Sequence, residues 1–143
     1  MEPLHAVESP TATFIISHRN TQLDQDQVSE VNIEGQVLRQ FSGSSLGWRQ
    51  HIAVDRQGNI FVADSGNRRI LLLDAQLALR RAIIDDHQLN GGHQLRLCYL
   101  EQFGQLLVAF RRSVAVFDVT RPQTNCSTSD IFVGLFSASN CRA

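Results

Sequence analysis

One stretch of this chain recurs, and the recurrence constrains the fold more than any composition figure. Shifting the sequence by 46 positions lays Ile52-Ala53-Val54-Asp55 on Cys98-Tyr99-Leu100-Glu101. The same shift lays Gly58-Asn59-Ile60-Phe61-Val62-Ala63 on Gly104-Gln105-Leu106-Leu107-Val108-Ala109. A weaker copy lies upstream, where Ala6-Val7-Glu8 precedes Phe14-Ile15-Ile16-Ser17.

Within the best unit, apolar runs alternate with turn chemistry. Asp55-Arg56-Gln57-Gly58 is a polar turn ending in glycine, and Asp64-Ser65-Gly66-Asn67 is a second. Residues 60–63 and 70–73 are apolar at consecutive positions, the pattern of strands covered on both faces. Residues 77–83 mix charge into the pattern, as an outer strand at a solvated rim does. The unit therefore predicts four strands, near 52–54, 59–63, 69–73 and 77–83. A helix over 70–81 is the competing reading, because Leu, Ala and Arg are good helix formers. The matching segment 114–118, β-branched and aromatic, favours strand. A period of about 40–45 residues with four short strands per unit is the pattern of a β-propeller blade. The expected fold is all-β: a partial propeller of about three four-stranded antiparallel blades in series, with an irregular C-terminal tail.

Residues 50–74 resemble an NHL repeat, the blade unit of a family of usually six-bladed propellers. The resemblance rests on Ile-Ala-Val-Asp, then Gly-Asn-Ile-Phe-Val-Ala-Asp, then Ser-Gly-Asn-Arg-Arg-Ile. It fades in the flanking copies. Phe110-Arg111-Arg112 replaces the second turn in the third unit, and a longer polar loop at 21–27 follows Ser17-His18-Arg19-Asn20 in the first. It covers roughly residues 4–120. The resemblance implies a non-enzymatic protein-binding or scaffolding module. Its alternatives are an RNA-binding propeller fragment acting through an arginine-bearing face, and a fragment of a propeller hydrolase or lyase. Such repeats often follow a ubiquitin-ligase tripartite motif, but no RING, B-box or coiled-coil pattern occurs in this chain.

Three blades at approximately 4–45, 50–84 and 94–120, with a tail at 121–143, account for the 143 residues. Propellers close with about four to eight blades, so three blades imply part of a larger ring, a truncated product or self-association that completes one. An open arc would leave a face of each terminal blade uncovered. That face is expected to draw on Phe14, Ile16, Val28, Val31 and Val37 in the first blade, and on Leu106, Val108, Val114 and Val116 in the last. Hydrophobic content of 43% against 19% charge is that of a globular chain. No apolar run approaches the ~20 residues a membrane span requires, and Met1-Glu2-Pro3-Leu4-His5 lacks the features of a secretory signal. The expected location is the cytoplasm. Cys98 falls in an apolar strand and is expected to be buried as a small hydrophobe. Cys126 and Cys141 flank an apolar tail segment, and the odd count with no Cys-x-x-Cys pair speaks against zinc or a disulfide framework.

All 13 basic residues are arginine. On the predicted topology, one end of the strands collects the candidate binding residues Arg19, Arg49, Arg68, Arg69, Arg111 and Arg112. Rigid donor forks of this kind suit carboxylate or phosphate. Asp64 and Arg69 flank one turn, so an ion pair that fixes the turn is the competing role. The other end collects Glu8, Glu34, Asp55, Asp74, Glu101 and Asp118, with Arg56 as its one base.

No catalytic motif is present: no nucleophile elbow, phosphate loop or dinucleotide fingerprint. Asp85, Asp86, His87 and His93 share one loop, but Gly91-Gly92 makes a preorganised metal set improbable there, and neither metal nor cofactor is expected. The innermost strands offer His51, Cys98 and Tyr99 as reactive groups, and His51 is expected to cap or pack.

Overall fold

The computed structural model describes residues 2–41, 43, 45–47, 50–84, 96–110, 114–119 and 140–141. Twelve strands form three four-stranded sheets in chain order. The first sheet is β1 (Glu2–Glu8), β2 (Phe14–Asn20), β3 (Gln25–Val31) and β4 (Val37–Gln40). The second is β5 (Gln50–Val54), β6 (Ile60–Asp64), β7 (Arg69–Leu73) and β8 (Leu79–Ile84). Both are simple antiparallel meanders. The third joins β9 (Arg96–Leu100), β10 (Gln105–Ala109) and β11 (Val114–Asp118) antiparallel.

The third sheet corrects one expectation. Its fourth strand is β12 (Asn140–Cys141), which lies parallel to β11 through Val116↔Asn140 and Phe117↔Cys141. Part of the segment set aside as a tail therefore joins a sheet, and not every pairing is antiparallel.

The helical alternative over 70–81 is excluded, since a hairpin turn separates β7 from β8 inside that range. The turn also places Leu77 outside the strand, with φ of +63°. A left-handed conformation costs a non-glycine residue about 1–2 kcal/mol. Full burial of a Leu side chain stabilises by about 1.5–3 kcal/mol, and Leu77 is buried in the core, so packing wins over backbone preference here.

Four hairpins share one design. The residue opening each turn accepts its partner's return: Ala12 N–H donates to Ser9 O (3.1 Å), Gly35 to Asn32 (3.0 Å), Gly58 to Asp55 (3.1 Å) and Leu77 to Asp74 (3.0 Å). The fourth residue has positive φ each time. The opening side chain then accepts backbone N–H groups across the loop: Asp55 from Gln57 and Asn59, Asp74 from Gln76 and Ala78, Asn32 from Gln36, Ser9 from Thr11 and Thr13. This is a type I turn with a left-handed bulge residue, suited to the twist of the flanking strands.

The second sheet is the middle layer. Alternate residues of a strand point to opposite faces, so Ile60 and Val62 join Ile15, Val28, Ile52 and Leu71 against the first sheet. Phe61 and Ala63 join Leu97, Leu106, Val108 and Phe117 against the third. The continuous apolar run of β6 thus serves two cores, and all five of its residues are buried.

The expected open faces need revision. Val28, Leu106 and Val108 are fully buried against the middle sheet. By the register, the outer faces carry Phe14, Ile16, Val31 and Val37 on one side, and Leu107, Val114 and Val116 on the other. Cys98 is exposed, not buried, because it alternates with the core residue Leu97 and shares the outer face of the third sheet with Leu107.

The inner strands β1, β5 and β9 lie side by side. Strands running in one sense put the hairpins β1–β2, β3–β4, β5–β6, β7–β8 and β9–β10 at one end of the layers. The β2–β3 and β6–β7 turns and the β4–β5 connection lie at the other.

Candidate recognition surface

Asp64 organises the end that carries the predicted arginines. Its side chain is fully buried and accepts from Gly47 N–H, Asn67 Nδ2 and Arg69 Nε, each at 2.8 Å. Arg69 and Asn67 also donate to Ser45 O, at 3.0 and 3.1 Å. Together they clamp the β4–β5 connection onto the β6–β7 turn. Gly47 is required there, because a Cβ would lie 2.8 Å from the Gly66 Cα. Arg19 is similarly held, by Asp24 at 2.5 Å and Asp26 at 3.4 Å, and Gln50 joins Asp26 at 3.2 Å. Arg68 occupies the left-handed region at φ 51°, ending the 3-10 turn Ser65–Asn67. The structure therefore brings Arg19, Arg68 and Arg69 to one end, where Asp24 and Asp26 engage Arg19 and Asp64 engages Arg69. Arg49, Arg111 and Arg112 lie outside the described residues, as do His87, His93 and the acidic loop beside them.

The opposite end holds a concavity of its own. A cavity of about 810 Å³ opens between the second and third sheets, lined by Arg56, Arg80, Arg81, Phe61, Leu72, Tyr99, Val119 and the acids Asp55 and Glu101. Phe61 and Tyr99 stack with centroids 5.1 Å apart at 18°, forming an aromatic wall. Burial raises the Tyr99 pKa, reinforced by Asp55, Glu101 and Asp118, so the phenol stays neutral. A second cavity, about 360 Å³, shares Asp55, Arg56 and Glu101 and continues onto Glu8, Ser9, Pro10 and Val54 of the first and second sheets. The two form a groove across all three sheets.

The charges in this groove are unequally engaged. Asp55 is spent on its own turn, accepting from Gln57 N–H, Asn59 N–H and Asn59 Nδ2 at 2.9 Å each. Glu101 accepts the Arg56 backbone N–H at 2.5 Å. Among the described residues, the guanidinium groups of Arg56, Arg80 and Arg81 make no ion pair. Arg56 is thus not the one base at this end, as expected from sequence. Arg80 and Arg81 had been assigned only to an outer strand, and no local signal shows that β8 carries them to the cavity rim.

A third cluster lies along the inner edges. His5 Nδ1 accepts the Ile52 backbone N–H at 3.1 Å, and His51 Nδ1 accepts that of Leu97 at 3.1 Å. The capping role expected of His51 is the one observed, and His5 plays it too. Their shared 46-residue spacing was the signal available for the second histidine. Burial, then the neighbouring His5 and Arg96, push the His51 pKa down to about 4. Burial and Arg96 also lower that of His5, and burial lowers that of His18.

The unfolded chain therefore binds more protons than the native one between pH 6.5, the ordinary histidine value, and about 4. Stability is expected to be fully present above pH 6.5 and to fall as pH drops through that window. Urea midpoints measured from pH 7.5 to 4 check this, and His51→Asn, which keeps an acceptor without a titratable ring, should flatten the profile.

Among the described residues, no group of three or more His, Cys, Asp or Glu side chains is placed to hold a metal. None of the described residues forms a helix long and apolar enough to cross a membrane. In comparisons with known proteins, no family model matches the chain and no curated protein matches it significantly.

Proposed function

We propose that the chain is an arc of a β-propeller that works as a non-enzymatic protein-recognition module, and that it binds an acidic peptide segment in the groove spanning its three sheets. One observation carries this reading: among the described residues, Arg56, Arg80 and Arg81 line the cavity without ion-pair partners, while the acids beside them accept from backbone donors. Solvent-accessible guanidinium groups beside an aromatic wall suit a carboxylate next to an apolar side chain. Exposed Phe103 and Ile33 at hairpin tips of the same end, 66% and 76% exposed, add apolar contact for a protein partner.

The RNA reading through the opposite end has weaker support, because Arg19 and Arg69 already serve the fold. Fluorescence anisotropy with a labelled Glu-rich peptide containing one Phe separates the two. Arg80→Glu with Arg81→Glu is expected to weaken binding at least tenfold and to flatten its salt dependence. Arg68→Glu with Arg111→Glu is expected to leave it unchanged. Loss only in the second pair, with single-stranded RNA the tighter ligand, would favour the RNA reading.

A further inference from the structure

The two inner-edge histidines have a second nitrogen that the fold does not use. Each Nδ1 accepts a backbone N–H, so the proton of each neutral ring sits on Nε2. Among the described residues, neither Nε2 has a hydrogen-bond partner, and neither is a buried orphan. The rings stack with centroids 3.8 Å apart at 24°, so both unused nitrogens belong to one cluster on the inner strands. In the third sheet the register places Arg96 where His51 stands in the second, since Arg96 pairs with Ala109 as His51 pairs with Ala63, and Arg96 is exposed and electrostatically coupled to both rings. No carboxylate contributes to the field at either histidine.

We propose that His5, His51 and Arg96, one from the inner strand of each sheet, form a binding site for a single oxyanion, a carboxylate or a phosphate group. Two neutral donors and one cation suit the oxygens of such a group, with the guanidinium supplying the charge. The backbone bonds at Nδ1 hold both rings in place, so the donors are preorganised before the anion arrives. This site is distinct from the groove, sharing none of its lining residues.

NMR titration of the full chain at pH 7 and constant ionic strength tests it, with inorganic phosphate in one series and acetate in another. The ring-proton signals of His5 and His51 are expected to shift and saturate in at least one series. His18, whose Nε2 is engaged with Ser29 Oγ at 2.8 Å, serves as the reference and stays fixed. The series that saturates at lower concentration identifies the oxyanion class. Arg96→Gln, at an exposed position, is expected to leave the fold intact and weaken the response at least tenfold. Shifts that never saturate, that appear equally at His18, or that survive Arg96→Gln unchanged would overturn the assignment.

Discussion

Val62→Asp is expected to abolish cooperative folding of the chain. Val62 is fully buried in the middle strand of the middle layer, opposite Ile52 and Leu71. No donor faces it in that apolar cluster. An unpaired buried carboxylate costs several kcal/mol, whether it ionises or is forced to hold its proton. Typical domains have only about 5–15 kcal/mol to lose, and this substitution strikes the sheet on which both cores depend. Circular dichroism melts should show no cooperative transition. Val37→Asp, at a site 45% exposed, should change stability by less than about 0.5 kcal/mol. A normal melt for Val62→Asp would mean that the first and second sheets do not pack as described.

Asp64→Ala is expected to cost about 3–5 kcal/mol, the range for breaking a buried charged pair by removing one partner. The loss is local in origin: Gly47 N–H, Asn67 and Arg69 all surrender the acceptor they converge on. Asp64→Asn retains an oxygen for two of these donors and should cost less. The clamp joins two sheets, so limited proteolysis should show new cleavage near residues 45–47 in the alanine variant before global unfolding. Unchanged urea midpoints and an unchanged digestion pattern would show that the Asp64 network adds nothing to stability.

The parts of the fold readable from residues were those set by local pattern. The run Ile60–Asp64 announced a strand covered on both faces, and it is the strand that feeds both cores. Asp55-Arg56-Gln57-Gly58 announced its turn because glycine stands at the left-handed position. In the equivalent turns at Ser9 and Asp74 the left-handed position carries no glycine signal, since Ala12 and Leu77 occupy it, and only tertiary burial explains the leucine. Asp64 and Arg69 flank one turn, five residues apart, and their pairing was legible there, but Gly47 and Ser45 reach them from the β4–β5 connection. The groove was illegible for the same reason. Its arginines come from β8 and a β5–β6 turn, its aromatic wall from two different sheets, and nothing in linear spacing brings them together.

The recurring hairpin design bears on how such a chain can change over evolution. Each turn is closed by bonds from its opening residue and by the backbone geometry of its fourth residue. The two residues between them, Pro10-Thr11, Ile33-Glu34, Arg56-Gln57 and Ala75-Gln76, are all exposed, and only Thr11 and Gln57 add side-chain bonds within their turns. Eight positions on a single end can therefore vary in charge, size or polarity while the framework beneath stays constant. Mutational drift at these tips would alter the chemistry of that surface long before it altered whether the chain folds, so surface character and foldability can vary separately in this molecule.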